Sequence, residues 1–281
     1  MSTSLILRPV GDMTETQAAM LAELDREGDA GFEFQPLRIK FPTGGATGAF
    51  VLSDGDMLKA PVEMIVAVAQ RARAYWPGKE TLGQPPLCGS PDALLGHFDP
   101  TSQQTKEAAA APVRHPALNE LDPAQAAGPW QCDSCPLAQW ESAGNGRRGQ
   151  ACKSMRRLLV IVKGWSMPAV LTLPPTSVKA WDGFASGLRQ RGQSYFGRWL
   201  TMELNAAKNA GGTPYAVINI KSGAVLSDPE AAEVMALRAR FAELVRTMDI
   251  VAEDYDTEGD TVPQSSGEPV IDGASVDEPP F

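Results

Sequence analysis

Four cysteines are the residues best equipped for chemistry in this chain, and all of them fall between positions 88 and 152. Cys132 and Cys135 enclose Asp133 and Ser134 as a CxxC, Cys152 lies seventeen positions beyond Cys135, and Cys88 stands far upstream. Two thiolates two residues apart on a tight turn can face one Zn²⁺, and two more complete a tetrahedron. Pro136, the Gly144-Asn145-Gly146 turn and Gly149 suit a small knuckle with no core of its own. The spacing therefore predicts structural zinc on Cys88, Cys132, Cys135 and Cys152. A closed four-sulfur site leaves no position for water, so no catalytic part is expected of the metal. Cys88 is the remotest ligand in sequence, and His97 or His115 could replace it. A redox CxxC normally opens a helix in a thioredoxin-like unit, and no such unit is evident here.

A second group of residues suits a polyanion. From Arg147 to Arg198 there are ten basic residues and one acid, Asp182. Arg147, Arg148, Lys153, Arg156 and Arg157 flank Cys152, so fixing that cysteine gathers five cations. A solvated basic loop is the plainer reading; trapping five cations without an acidic partner costs self-repulsion and favours phosphate contact. Aromatic residues are interleaved with these cations: Trp140, Trp181, Tyr195, Phe196 and Trp199. Single-strand binding needs cations for phosphates and flat rings for bases, with stacking contributing about 1–3 kcal/mol per base. Any one of these rings is more often core than base platform. If 195–199 is an alternating strand, Phe196 and Arg198 share one face and Tyr195 and Trp199 the other. The candidate nucleic-acid contacts are thus Trp140, Arg147, Arg148, Lys153, Arg156, Arg157, Lys179, Trp181, Tyr195, Phe196, Arg198 and Trp199.

Constellations for catalysis are hard to find. The two histidines lie in or near low-complexity sequence, Thr43–Gly48 lacks the lysine of a phosphate loop, and no acidic cluster resembles a two-metal site. The chain reads as a non-enzyme.

Composition must be divided to be informative. The net charge of −9 argues against a nucleic-acid partner at first. Of 34 acidic residues, ten lie from Asp249 onward, leaving 24 against 25 basic residues before that point. Acidic tail and basic middle are the asymmetry expected of a protein that meets a polyanion. No N-terminal segment has signal-peptide organisation, and no apolar run approaches the roughly 20 residues that span a bilayer. A soluble protein of the cytoplasm, without a membrane partner and without disulfides, is expected.

The elements that must hold these residues follow from periodicity. A first helix is expected around Ala18–Leu24, ended by Gly28. Strand pieces surround Leu37–Phe41, and 62–76 reads as a strand despite an Ala-rich, helix-compatible composition. Residues 83–155 form a loop-rich, cysteine-bearing insertion. Strands follow at 157–162 and 169–173, then a helix capped by Ser177 through about Leu188. Strands at 198–204 and 215–220 are joined by a turn at 209–213, and a last helix starts at Asp228-Pro229. Residues 1–248 make one domain and 249–281 a disordered acidic tail. The predicted class is mostly β (α+β): an OB-fold-like antiparallel barrel with an inserted zinc knuckle and flanking helices.

The tail ends Asp277-Glu278-Pro279-Pro280-Phe281. An apolar ring, a carboxylate and flanking acids suit a basic, hydrophobic pocket on a partner. This ending resembles the C-terminal tip of bacterial single-stranded-DNA-binding proteins, where an Asp-rich tail finishes in Pro-Phe. The cysteine insertion is similar to phage single-stranded-DNA-binding proteins with a metal site in an OB fold, whose ligands include a histidine where this chain offers four cysteines. The resemblance implies a phage or mobile-element protein acting in replication, recombination or repair inside a bacterial host cell. It implies that the body coats single-stranded DNA and the tip recruits replication or recombination proteins. Self-association into a homo-oligomer stays open. The alternatives are a zinc-ribbon adaptor of transcription or replication that binds protein and duplex nucleic acid, and, further off, a nuclease.

Overall fold

The computed structural model describes residues 35–42, 45–78, 84–144, 149–165, 167–208, 212 and 214–254, together with Ala19, Met20 and Glu23. Ala19, Met20 and Glu23 are helical, and the rest of the expected first helix lies outside the described residues, as do Arg147, Arg148 and Asp277 to Phe281.

The longest strand organises everything else. It spans Val62–Tyr75 (β4) and is buried on both faces for most of its length. Val62, Ile65, Val66 and Val68 supply β-branched side chains that fit a sheet covered on two sides. A register shift between Val66 and Val68 breaks the alternation. Val62, Met64 and Val66 therefore enter one core, while Ile65, Ala67 and Val68 enter another.

Three short strands precede it, Arg38–Lys40 (β1), Ala49–Leu52 (β2) and Met57–Lys59 (β3). The insertion contributes Cys88–Ser90 (β5), Leu95–Phe98 (β6) and Trp130–Gln131 (β7), with helices Thr105–Ala110 (α1) and Pro123–Ala127 (α2). Then come Lys153–Val162 (β8), Ala169–Leu173 (β9), helix Pro175–Gln190 (α3), Arg198–Lys208 (β10), Pro214–Val225 (β11) and helix Asp228–Thr247 (α4). The sheet runs β3-β2-β1-β9-β8-β4-β5-β6-β7, and β10 joins β4 to β11. One edge of β4 pairs with β8 from Met64 to Ala74. Its other edge is shared: Val62 to Met64 pair with β10, and Arg73 to Tyr75 with β5.

The class is mostly β with a few helices, as expected, but the sheet is not the closed antiparallel barrel that the sequence predicts. β1 lies parallel to β9 on the edge that closure would need, and among the described residues no ladder joins β9 to β11. The sheet still wraps one core. Leu171 of β9, Ile218 of β11 and Ile39, Phe50 and Leu52 of the N-terminal strands share a cluster with Trp181 of α3. At Gly45, with φ +76°, a Cβ would stand 2.7 Å from Pro214 Cβ, so the N-terminal turn reaches the start of β11 only because it has no side chain.

Helix α3 covers that first core. Ser177 does not cap it: the helix begins at Pro175, and the buried Ser177 hydroxyl accepts a bond from Ile218 N–H at 3.1 Å. Helix α4 covers the other face, placing Val234, Leu237, Phe241 and Val245 on Leu159, Ile161 and Val170. Its start is fixed by the Glu230 carboxylate, which accepts from Ser227 N–H at 2.8 Å and Ser227 Oγ at 2.7 Å. Among the described residues no helix is long and apolar enough to cross a membrane.

The body extends past the boundary read at Met248. Ile250 is buried with Ala72, Ala74 and Met155. Asp254 is buried and pairs with Arg38, and it accepts from Thr172 Oγ1 at 3.0 Å. An acidic residue at the root of an acidic stretch read as solvated; its basic partners lie too far away in sequence to be seen.

Candidate metal centre and nucleic-acid surface

Strand pairing brings the cysteines together. Cys88 opens β5, opposite Tyr75 of β4 and Phe98 of β6. Cys132 follows β7 and is held by its N–H on Leu94 O at 2.9 Å. Cys135 N–H donates to Cys132 O at 3.3 Å, closing the CxxC turn. Cys152 immediately precedes β8 and donates its N–H to Leu137 O at 2.9 Å. All four line one small cavity, with Arg73, Tyr75, Ser90, Gly96 and His115. They are free thiols, and all but Cys135 are buried.

A Cβ on Gly96 would stand 3.0 Å from Cys88 Sγ and 3.7 Å from Cys132 Sγ. The missing side chain is what admits both sulfurs to the cavity. Among the described residues, no three His, Cys, Asp or Glu side chains are already drawn into a ligating cluster. The four thiols share a cavity wall without being pulled to one point.

Their electrostatics fit neutral thiols. Burial pushes Cys88 far above the ordinary thiol range, and Cys152, Cys132 and Cys135 each add to the shift. Cys152 is pushed up to about 12 by burial, against the pull of Arg73. Cys132 is raised by burial, partly offset by a hydrogen bond with Ser90 and by Arg73. Only a cation among the sulfurs would reverse this and favour thiolates.

The arginine in the cavity wall is a residue that sequence reasoning missed. Arg73 is 9% exposed, lines the cavity beside Cys152, and has no partner for Nε or Nη1. The available signal was an arginine two positions from Tyr75 inside an apolar strand. His115 also lines the cavity. Its Nδ1 accepts from Ala117 N–H at 3.1 Å, its ring stacks on Phe98 at 4.8 Å, and burial lowers its pKa to about 4. His97 sits opposite Gly89 in register and is exposed.

The predicted nucleic-acid residues are scattered among three environments. Some are at the surface beside the cysteine lobe. Trp140 is 67% exposed, Lys179 is exposed, and Lys153 is half-buried at the head of β8. Arg156 gives a two-pronged contact to Asp182, Nε to Oδ1 at 2.9 Å and Nη2 to Oδ2 at 2.6 Å. Arg71, which the sequence reading passed over, lies directly opposite Arg156 and is exposed. Two like charges face to face on a sheet are unfavourable without an anion beside them, and Asp182 is that anion for Arg156. Lys179 is three residues before Asp182 on α3, on the same helix face.

A second set packs around α4. Phe196 and Trp199 are half-buried against its core. The Arg238 guanidinium lies 4.8 Å from the Phe196 ring centre, and Lys163 Nζ lies 5.9 Å from that of Trp199. Tyr195 is half-buried against the α3 core, and its hydroxyl accepts from Arg238 Nη1 at 3.2 Å. Arg198 bonds Ser222 Oγ and Gln193 Oε1. The expected alternation along 195–199 does not hold, because Tyr195–Gly197 is a turn of 3₁₀-helix and β10 begins at Arg198.

Two predicted contacts are internal. Trp181 is 2% exposed and plugs the first core, its ring 5.3 Å from Tyr195. Arg157 is fully buried, with Nη1 on Met248 O at 2.6 Å, Nη2 on Asp249 O at 3.3 Å, and Asp254 at 3.8 Å. Alternation along β8 turns Arg156 and Arg157 to opposite faces, which a count of cations cannot see.

Comparison with family models, curated proteins and solved structures returned no match.

Proposed function

We propose that this protein coats single-stranded DNA in replication, recombination or repair, without enzymatic activity, through an OB-like body stapled by structural zinc. The observation that carries the reading is the connectivity of five strands. Along the chain they run β4, β8, β9, helix α3, β10, β11, and across the sheet β11-β10-β4-β8-β9. A bulged first strand pairing with both the second and the fourth, and a helix between third and fourth, support reading these five strands as a partly open OB-like barrel. In that fold the first and last loops flank the oligonucleotide path. Here those connections are the cysteine-bearing insertion and the residues that link β10 to β11.

The usual face over the second and third strands is taken up in this chain. Leu159, Ile161 and Val170 lie under α4, and Thr172 bonds Asp254. The strand of DNA is therefore assigned to the surface that carries Arg71, Arg156 and Lys179. Arg71, Arg156 and Lys179 meet phosphates there, with Lys153 nearby and Trp140 as a stacking ring. Zinc on Cys88, Cys132, Cys135 and Cys152 would hold the lobe in shape, because buried neutral thiols become ligands only with a cation present. The acidic tail would compete for the same cations, and Asp277 to Phe281 would recruit partner proteins. A bacterial host cell and a phage or mobile-element origin belong to the same reading.

Titrating the protein with oligothymidine and with a matched duplex, while following tryptophan emission, tests it. Quenching by the single strand and at least tenfold weaker binding of duplex are expected. Equal affinity for duplex, without quenching, favours the zinc-ribbon adaptor instead.

A further inference from the structure

We propose that Arg73 is the counter-charge of a centre ligated by all four cysteines as thiolates, with His115 outside the ligand set. The inference rests on the zinc reading above and names the ligand set and charge of that same site.

Arg73 faces Ser154 of β8 and Ser90 of β5 in register. A buried charge needs an opposite charge or a full set of hydrogen-bond acceptors. Arg157, three register steps away on the neighbouring strand, has Asp254 and two backbone carbonyls, and only its Nε is left without a partner. Arg73 has neither. Among the described residues no carboxylate forms an ion pair with it, and Nε and Nη1 are buried without a partner. It lies in the wall of the cavity that Cys152 shares with the other three cysteines.

Charge then selects the ligand set. Four thiolates around a divalent ion leave two negative charges, whereas three thiolates and a neutral imidazole leave one. A buried guanidinium with two idle donors suits the more anionic set, as N–H donors beside metal-bound sulfur do generally. The gap at Gly96 admits Cys88 beside Cys132, so the cysteine most distant in sequence is present in the cavity. His115 is already committed through Nδ1 and stacked between Phe98 and an edge of Trp130 at 5.6 Å. Its role is to wall the cavity.

The full-length protein is first assayed for zinc as purified and after zinc is added back. About one equivalent is expected; no bound metal in either sample overturns the zinc reading and this proposal with it. Cobalt-loaded protein then reports the ligands. Wild type and His115→Phe should give the same sulfur-to-cobalt absorption, and Cys88→Ser a weaker one; loss of intensity in His115→Phe alone overturns the ligand set. Chelator competition on Arg73→Met, Arg73→Gln and Arg73→Lys reads the counter-charge. Affinity should fall 10–100-fold in Met and Gln and recover most of the loss in Lys. Wild-type affinity in Met or Gln, or Lys no better than Gln, overturns the role of Arg73 while leaving zinc in place. Should Met fail to fold, the order of Lys over Gln decides.

Discussion

The sheet body closes over two apolar clusters, one beneath α3 and one beneath α4, rich in Val, Ile, Leu and Met. The lobe that grows from the far end of β4 has one small cluster, and its members include Ala108, Ala117, Ala126 and two of the four cysteines. The two regions share a strand, yet they are held in different ways. Large side chains buried on both faces of a sheet stabilise the body through apolar area. So little apolar surface in the lobe calls for a staple, as in other small units. The two buried arginines of these regions differ in the same sense. Arg157 is matched by protein groups, and Arg73 faces sulfur.

That contrast can be broken from either side. Removing zinc with a strong chelator, or changing Cys132 to Ser, should unfold the lobe and leave the body's cooperative melt nearly unmoved. Backbone amide exchange would show protection lost at Cys88–Ser90 and Leu95–Phe98 and kept along Lys153–Val162. Trp181→Ala should do the reverse: a loss of about 3–5 kcal/mol in denaturant unfolding of the body, with metal content unchanged. Asp254→Asn should cost about 3 kcal/mol by leaving Arg157 and Arg38 without their carboxylate, again without loss of metal.

Acid should find the lobe through His115. Its folded pKa, lowered by burial to about 4, lies below its ordinary value of 6.5. The unfolded chain therefore binds the extra proton first as pH falls. The contribution is fully present above pH 6.5 and is lost progressively down to about pH 4, a change of about 3 kcal/mol. The stability difference between wild type and His115→Phe, measured over that range, should carry this slope.

The smallest effect concerns the tail. Truncation after Asp254 removes seven acids, Asp256 to Glu278. It should tighten oligothymidine binding several-fold at low salt and hardly at all at high salt. A cut after Met248 would confuse the result, since it also strips Arg157 of its partners.

The order of the large elements was legible in the sequence because long, periodic segments leave a pattern. The strands at 157–162 and 169–173 and the helix from Asp228 follow from apolar spacing. Elements of two to six residues in the insertion left none, since their shape depends on single side chains such as Asp92, which accepts from Leu94 N–H at 2.8 Å. The four cysteines could be grouped by residue type alone. Arg73 could not, because its meaning depends on the cavity that strand pairing assembles around it. Counting cations placed Arg156 and Arg157 together, whereas the pleat separates them. The pairing of β1 with β9 depends on contacts more than a hundred residues apart, which local patterns do not carry.

Single-stranded DNA is proposed to cross the surface cations around Arg71 and Lys179. Oligothymidine affinity measured across a salt series, for wild type and Arg71→Gln, tests it most directly. The account predicts weaker binding in the variant and a slope of log affinity against log salt shallower by about 0.7, one phosphate contact on a single strand. Two superimposable lines would contradict it.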